Sequence, residues 1–182
     1  MDHRIRIHDL EFGPFISAEQ LQQRIDEMGE ALTTEYKGRT PLFLGVLNGA
    51  FVFAADLLRA CKMDCELSFI RLASYAGTVS SGAVATVIGL KEDVRGRDVV
   101  IVEDIVDSGR TLHQFLPDLW KLEPASVKIA ALLVKPDAME FDVKTDFIGF
   151  EIPPKFVVGY GLDYNGLGRN LKDIWQLATS EG

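Results

Sequence analysis

Apolar positions along this chain recur in two rhythms, and each predicts a different element. Val99-Val-Ile-Val102 is an unbroken run of four β-branched residues. Such a run reads as a strand buried on both faces, as in a parallel sheet. Pro41-Leu-Phe-Leu-Gly-Val-Leu47 and Ser126–Val134 read the same way, and Cys65–Leu72, Val84–Leu90, Asp146–Phe150 and Ile174–Leu177 are shorter strand candidates. Between them the apolar spacing turns helical. Ser17 and Gln20 form a capping box ahead of Leu21, Ile25, Met28 and Leu32, with Gly38 a plausible stop. A second helix is expected over Ala50–Ala60. A third begins near Arg110 or Thr111, carries Leu112, Phe115, Leu116 and Leu119 on one face, and ends before Pro124. Strands alternating with helices define an α/β chain.

The bulk properties narrow the class. At 182 residues the chain suits one domain, long enough to bury about 70% of the unfolded surface. It is 47% hydrophobic and 25% charged, as soluble globular proteins are. No apolar stretch is long enough for a membrane span, and Met1-Asp-His-Arg-Ile-Arg lacks a signal peptide's apolar core, so the cytoplasm is the expected location and no membrane partner is expected. Cys61 and Cys65 stand without further ligands nearby and read as reduced structural thiols; His3, His8 and His113 are scattered. The formal charge of −8 argues against nucleic acid as a partner. It is a weak objection to a small polyanion, because charges beyond about 8 Å are largely screened.

The chemistry concentrates after Val102. Glu103 and Asp104 follow directly, then Ile105-Val106 and the turn Asp107-Ser108-Gly109, then Arg110-Thr111 opening the third helix. A turn at a strand's carboxyl end that leads into a helix N-terminus presents unpaired N–H groups to the crevice where α/β sheets bind ligands. Gly109 lets that backbone approach a phosphate without a Cβ in the way, while Asp107 or Ser108 would serve as an ordinary helix cap. The two acids could hold a metal or a sugar diol. Asn48-Gly49 repeats the strand–turn–helix order; it is either a plain connection or a second loop of amides for another phosphate. Ser74–Ala85 is small, polar and glycine-bearing, a hairpin loop or a lid. Lys135 ends a strand, and Leu162-Asp-Tyr-Asn-Gly166 is a turn-rich loop leading to Arg169.

The ordered string from Val99 to Thr111 closely resembles the signature of type I phosphoribosyltransferases, which bind phosphoribosyl pyrophosphate. Leu133-Val-Lys135, Gly149-Phe-Glu-Ile-Pro153 and Lys155-Phe-Val-Val-Gly-Tyr-Gly-Leu-Asp-Tyr-Asn165 resemble the hypoxanthine-guanine members, as do Ala54-Ala-Asp-Leu-Leu58 and Arg71-Leu-Ala-Ser-Tyr75. These blocks run in the family's order from about Pro41 to Arg169. The resemblance implies a mostly parallel twisted sheet flanked by helices (core about 38–150) within a single 1–182 domain. A small hood would be drawn from the N-terminal segment and about 151–182. It implies transfer of phosphoribose to N9 of a 6-oxopurine with Mg²⁺, releasing pyrophosphate, in a homodimer or homotetramer.

By the same resemblance Asp107, Ser108, Gly109, Arg110 and Thr111 cradle the 5′-phosphate, and Glu103 and Asp104 meet the ribose hydroxyls directly or around the metal. Asp107 also faces N7 of the purine as a catalytic base. Asn48, Gly49 and Arg169 face pyrophosphate, Ser74 and Tyr75 belong to a closing loop, and Asp163 is a second metal ligand beside the purine. Lys135 donates to O6, Phe156 stacks on the base, and the Val157 backbone reads its far edge. One departure stands out: the family usually has Lys where this chain has Asn48, so a positive charge is missing. Other readings are a regulatory nucleotide- or RNA-binding relative, or a xanthine- or pyrimidine-specific transferase.

Overall fold

The computed structural model describes residues 4–72 and 90–178. The expected loop at Ser74–Ala85, with Ser74 and Tyr75, lies outside the described residues, as does all of the expected Val84–Leu90 strand except Leu90, which is not in a strand. Five strands form a wholly parallel sheet: β3 (Leu42–Val46), β4 (Glu66–Ile70), β5 (Asp98–Val106), β6 (Ser126–Val134) and β7 (Phe147–Glu151), in the order β4-β3-β5-β6-β7. Their alternate residues feed two cores. Val100 and Val102 pack on the side of α1 (Ala18–Glu35) and α2 (Phe51–Ala60), whereas Val99 and Ile101 pack with Leu112, Phe115 and Leu119 of α3 (Arg110–Trp120). All four β5 residues are fully buried, which is why this stretch tolerates no polar side chain.

The Ser17–Gln20 capping box forms as expected, and Leu21, Ile25, Met28 and Leu32 are all buried. Helix α1 ends at Glu35, and Gly38 takes a left-handed φ of 75° just beyond it. Arg24 on this helix donates to the carbonyls of Ile148 and Gly149 on the edge strand β7, covering groups that would otherwise be open to another chain's strand.

A second, antiparallel sheet of four strands is built from both ends of the chain. It comprises β1 (Ile5–Ile7), β2 (Leu10–Ile16), β8 (Val157–Val158) and β9 (Ile174–Leu177), in the order β1-β2-β9-β8. Neither strand of the N-terminal pair is expected from the sequence, although Ile5 and Ile7 alternate with Arg4, Arg6 and His8. Gly13 and Pro14 interrupt β2, and the register against β9 shifts between Pro14 and Ile16 at an irregularity. Among the described residues no helix is long and apolar enough to cross a membrane. Cys61 and Cys65 are free and partly buried, and burial pushes the Cys61 thiol up to about 12.

Candidate anion and nucleotide site

Strand β5 runs further than its apolar run predicts. It continues through Glu103 and Asp104 because β6 keeps pairing beside it, Ile105 with Leu133 and Val106 with Val134. The acids therefore sit on a strand end rather than in a loop. Strand β3 pairs with β5 only from Val99 to Val102, so the stretch from Glu103 onward leaves the β3 side of β5 open to the Asn48–Gly49 turn.

At the end of β5 the chain turns through Asp107, Ser108 and Gly109 into α3. The N-cap is Gly109 at φ 77°, not Asp107 or Ser108, and it has no capping side chain. Ser108 Oγ accepts only a long bond, 3.4 Å, from the Arg110 amide. The reason lies behind the turn. The amides of Glu140 and Phe141 donate to the Ser108 carbonyl at 3.0 and 3.1 Å, and a Cβ on residue 109 would come within 3.0 Å of the Phe141 carbonyl. Left-handed backbone and a wall at its back thus both require glycine here. In front of the turn is a cavity of about 100 Å³ lined by Glu103 and by Ile105 through Leu112. A helix N-terminus facing that space favours negative charge.

Lys135, at the end of β6, is buried at 7% exposure. Its Nζ donates to Asp107 Oδ2 at 2.7 Å, joining the end of β6 to the turn after β5. Arg110 pairs with Glu140 at 2.9 Å and lies over the Phe141 ring, whereas Thr111 is exposed at the cavity.

The acids are in an unusual state. Burial, then the neighbouring Asp104 charge, holds the Glu103 carboxyl well above the ordinary range. Burial also pushes Asp104 up to about 6; the Ile105 amide, donating at 2.9 Å, and Arg169 oppose that rise, and Asp163 adds to it. Gly49 lies directly on this carboxylate: a Cβ there would be 1.5 Å from Asp104 Oδ2. The carbonyl of Gly49 in turn lies against Gly161, whose Cβ would be 2.2 Å from it. Arg169 donates to the Gly161 carbonyl at 2.6 Å and pairs with Asp163 at 2.6 Å, and Asp163 accepts the Gly166 amide. Two glycines thus let three chain segments stack, bringing Asn48–Gly49, Asp104, Asp163 and Arg169 into one cluster.

Phe156 and Val157 lie at the antiparallel sheet. The Phe156 ring is 41% exposed, tilted against Phe12 and edge-on to Tyr164, while Val157 is buried in β8. Sequence reasoning missed three contacts. The Tyr160 hydroxyl donates to Asp56 on α2, Arg71 Nη2 donates to Asn48 Oδ1 at 2.9 Å, and Tyr164 donates to Asp9 at 2.8 Å. None has a local signal, since each joins residues distant in sequence. Among the described residues no group of three or more His, Cys, Asp or Glu converges on a metal position.

The parallel sheet, its open carboxyl edge and an uncapped glycine turn define an α/β protein with a helix N-terminus facing a cavity of the kind that suits an anion. Residues 17–165 match the phosphoribosyl transferase domain family model. The hypoxanthine-guanine phosphoribosyltransferase of Bacillus subtilis is 47% identical over 169 residues, 92% of this chain and 93% of that protein. The bifunctional protein TilS/HprT of Listeria monocytogenes is 50% identical over 161 residues, 87% of this chain; the chain spans only 25% of the length of that relative. A crystal structure of a hypoxanthine-guanine phosphoribosyltransferase from Bacillus anthracis superposes with a TM-score of 0.80 at 37% identity, covering 91% of this chain and 96% of the other. The chain belongs to the phosphoribosyltransferase family.

Proposed function

We propose that this chain transfers 5-phosphoribose from phosphoribosyl pyrophosphate to N9 of a 6-oxopurine, hypoxanthine or guanine, giving the nucleoside monophosphate and pyrophosphate. The observation that carries the base assignment is the buried Lys135 ammonium held 2.7 Å from Asp107 at the rim of the glycine turn. An ammonium has three donors and no acceptor, so it favours a 6-oxo group over a 6-amino group. The adjacent Asp107 carboxylate faces the five-membered ring of a base held by Lys135, and there it takes the proton released as N9 bonds to C1′ or holds it at N7.

The other roles follow from position. The amides of Ser108 to Thr111 hold the 5′-phosphate with the Ser108 and Thr111 hydroxyls, while the Arg110 side chain stays on Glu140 and Phe141 behind the turn. Phe156, exposed beside Tyr164, covers the base, and the Val157 backbone meets its C2 edge. Asp104 suits a ribose hydroxyl or a cation, and Glu103 beside it is the second carboxyl at the ribose. Mg²⁺ fits Asp104 and Asp163, because Asp104 is a half-buried carboxylate whose charge Asp163 opposes. Two carboxylates with ligand phosphates and water are an ordinary magnesium environment. When bound there, the ion neutralises charge growing on the departing pyrophosphate. Asn48, Gly49 and Arg169 face that leaving group. A homodimer or homotetramer belongs to the same reading.

The test is product formation from donor and Mg²⁺ with each base in turn. Hypoxanthine and guanine are expected to react, with adenine poorer by roughly 100-fold or more, because a site built around a donor leaves it unpaired against an amino group. The K135A variant should lose most of that preference. Comparable use of adenine by the native protein overturns the assignment.

A further inference from the structure

We propose that Arg71 is the pyrophosphate-binding cation of this site, held at the Asn48–Gly49 turn by Asn48, and that it replaces the lysine usual at position 48. The inference rests on the reading above that this turn meets pyrophosphate. Its first support is placement. Strands β3 and β4 stay paired to their ends, Val46 with Ile70, and the Leu47 amide donates to the Ile70 carbonyl at 2.8 Å. Residue 71 therefore leaves the sheet beside residue 48. The Arg71 guanidinium reaches the turn itself, donating from Nη2 to Asn48 Oδ1 at 2.9 Å.

The second support is a charge inventory. Four cations border the site, and three already face a carboxylate: Lys135 with Asp107 at 2.7 Å, Arg169 with Asp163 at 2.6 Å and Arg110 with Glu140 at 2.9 Å. Among the described residues no carboxylate pairs with Arg71. Its partner is a neutral carboxamide, which fixes the group without cancelling its charge. The adjacent acid Asp104 makes the turn hostile to a polyanion unless a cation stands by. A guanidinium also offers more than a lysine at position 48 would, since its planar fork grips two phosphate oxygens at once. Asparagine at 48 thus serves as the anchor for a charge that Arg71 supplies from one strand over.

The experiment uses the full chain and isothermal calorimetry with magnesium pyrophosphate and, separately, with IMP, whose 5′-phosphate belongs to the glycine turn. R71Q should weaken pyrophosphate binding about 10- to 100-fold, the worth of a charge-assisted hydrogen bond. IMP affinity should be unchanged, with thermal melting also unchanged because Arg71 is exposed. R71K should retain more binding than R71Q, and adding N48K to R71Q should recover binding. The native protein's pyrophosphate affinity should also fall more steeply with salt than that of R71Q. If the native protein binds pyrophosphate and R71Q binds it equally well, the role of Arg71 is overturned. If the native protein binds neither pyrophosphate nor IMP, the transferase reading itself fails.

Discussion

Replacing Gly49 with alanine probes the stacking that builds the site. The added Cβ would lie 1.5 Å from Asp104 Oδ2 and 2.4 Å from its Cγ, so one of the two must move. Asp104 has little freedom to give way: it is half-buried, and its Oδ1 accepts the Ile105 amide at 2.9 Å. The turn has none on its other side, where the Gly49 carbonyl already touches Gly161. Over-packing of this kind costs about 1–3 kcal/mol, which for a chain of this size lowers Tm by roughly 2–12 °C. Removing the obstructing carboxylate separates contact from any backbone effect. In G49A/D104A the clash is gone, so the double variant should be more stable than the sum of the single effects by about 1–3 kcal/mol in urea denaturation. Activity should not return, because the acid is missing. A G49A protein within about 0.5 kcal/mol of the native one, with unchanged KM for phosphoribosyl pyrophosphate, would refute the packing argument.

Two further outcomes follow from the same geometry. Y160F removes the hydroxyl that donates to Asp56 on α2; a bond to a carboxylate is worth about 1.5–3 kcal/mol, and partial exposure of Asp56 lowers the expected loss to about 1–2 kcal/mol, read by urea denaturation. Asp104, raised from 3.8 to about 6, binds its proton more tightly in the folded state, so its contribution to stability is fully present below pH 3.8 and is lost as pH rises through about 6. D104N should therefore become more stable than the native protein, by up to about 3 kcal/mol, between pH 4 and 7 in ligand-free buffer, and parallel pH profiles for the two would contradict the shift.

What could be read in advance depended on how local its cause was. Strands β3, β5 and β6 announce themselves because burial on both faces demands a continuous apolar run. The end of β5 does not, since the pairing that carries it through Glu103 and Asp104 is supplied by β6, and an acid at that point looks like a loop residue. Strand β1 is only three residues long, too short for its alternation to stand out, and in β2 Gly13 and Pro14 break the pattern. Helix α3 was placed correctly but not its cap; the left-handed Gly109 is dictated by residues 139–143 behind it. Burial of Lys135 and the bond from Tyr160 to Asp56 are properties of packing between distant segments, and no spacing rule reaches them.

The ion pairs around the site look at first like a contradiction, since a protein of charge −8 has tied up most of the cations it needs for a polyanion. Donor counting resolves it. Lys135 carries three N–H groups and spends one on Asp107; Arg169 carries five and spends two on Gly161 and Asp163. Each pair therefore aims its cation while leaving donors free, so a ligand can add to the pair rather than displace it. That spares the cost of stripping the buried Lys135 ammonium of its carboxylate partner. It also means these groups bring direction more than charge, because their fields are largely cancelled. In the proposed transferase, attraction for the phosphates must come from elsewhere: from amides fixed at Gly109, and from a guanidinium whose only described partner is neutral.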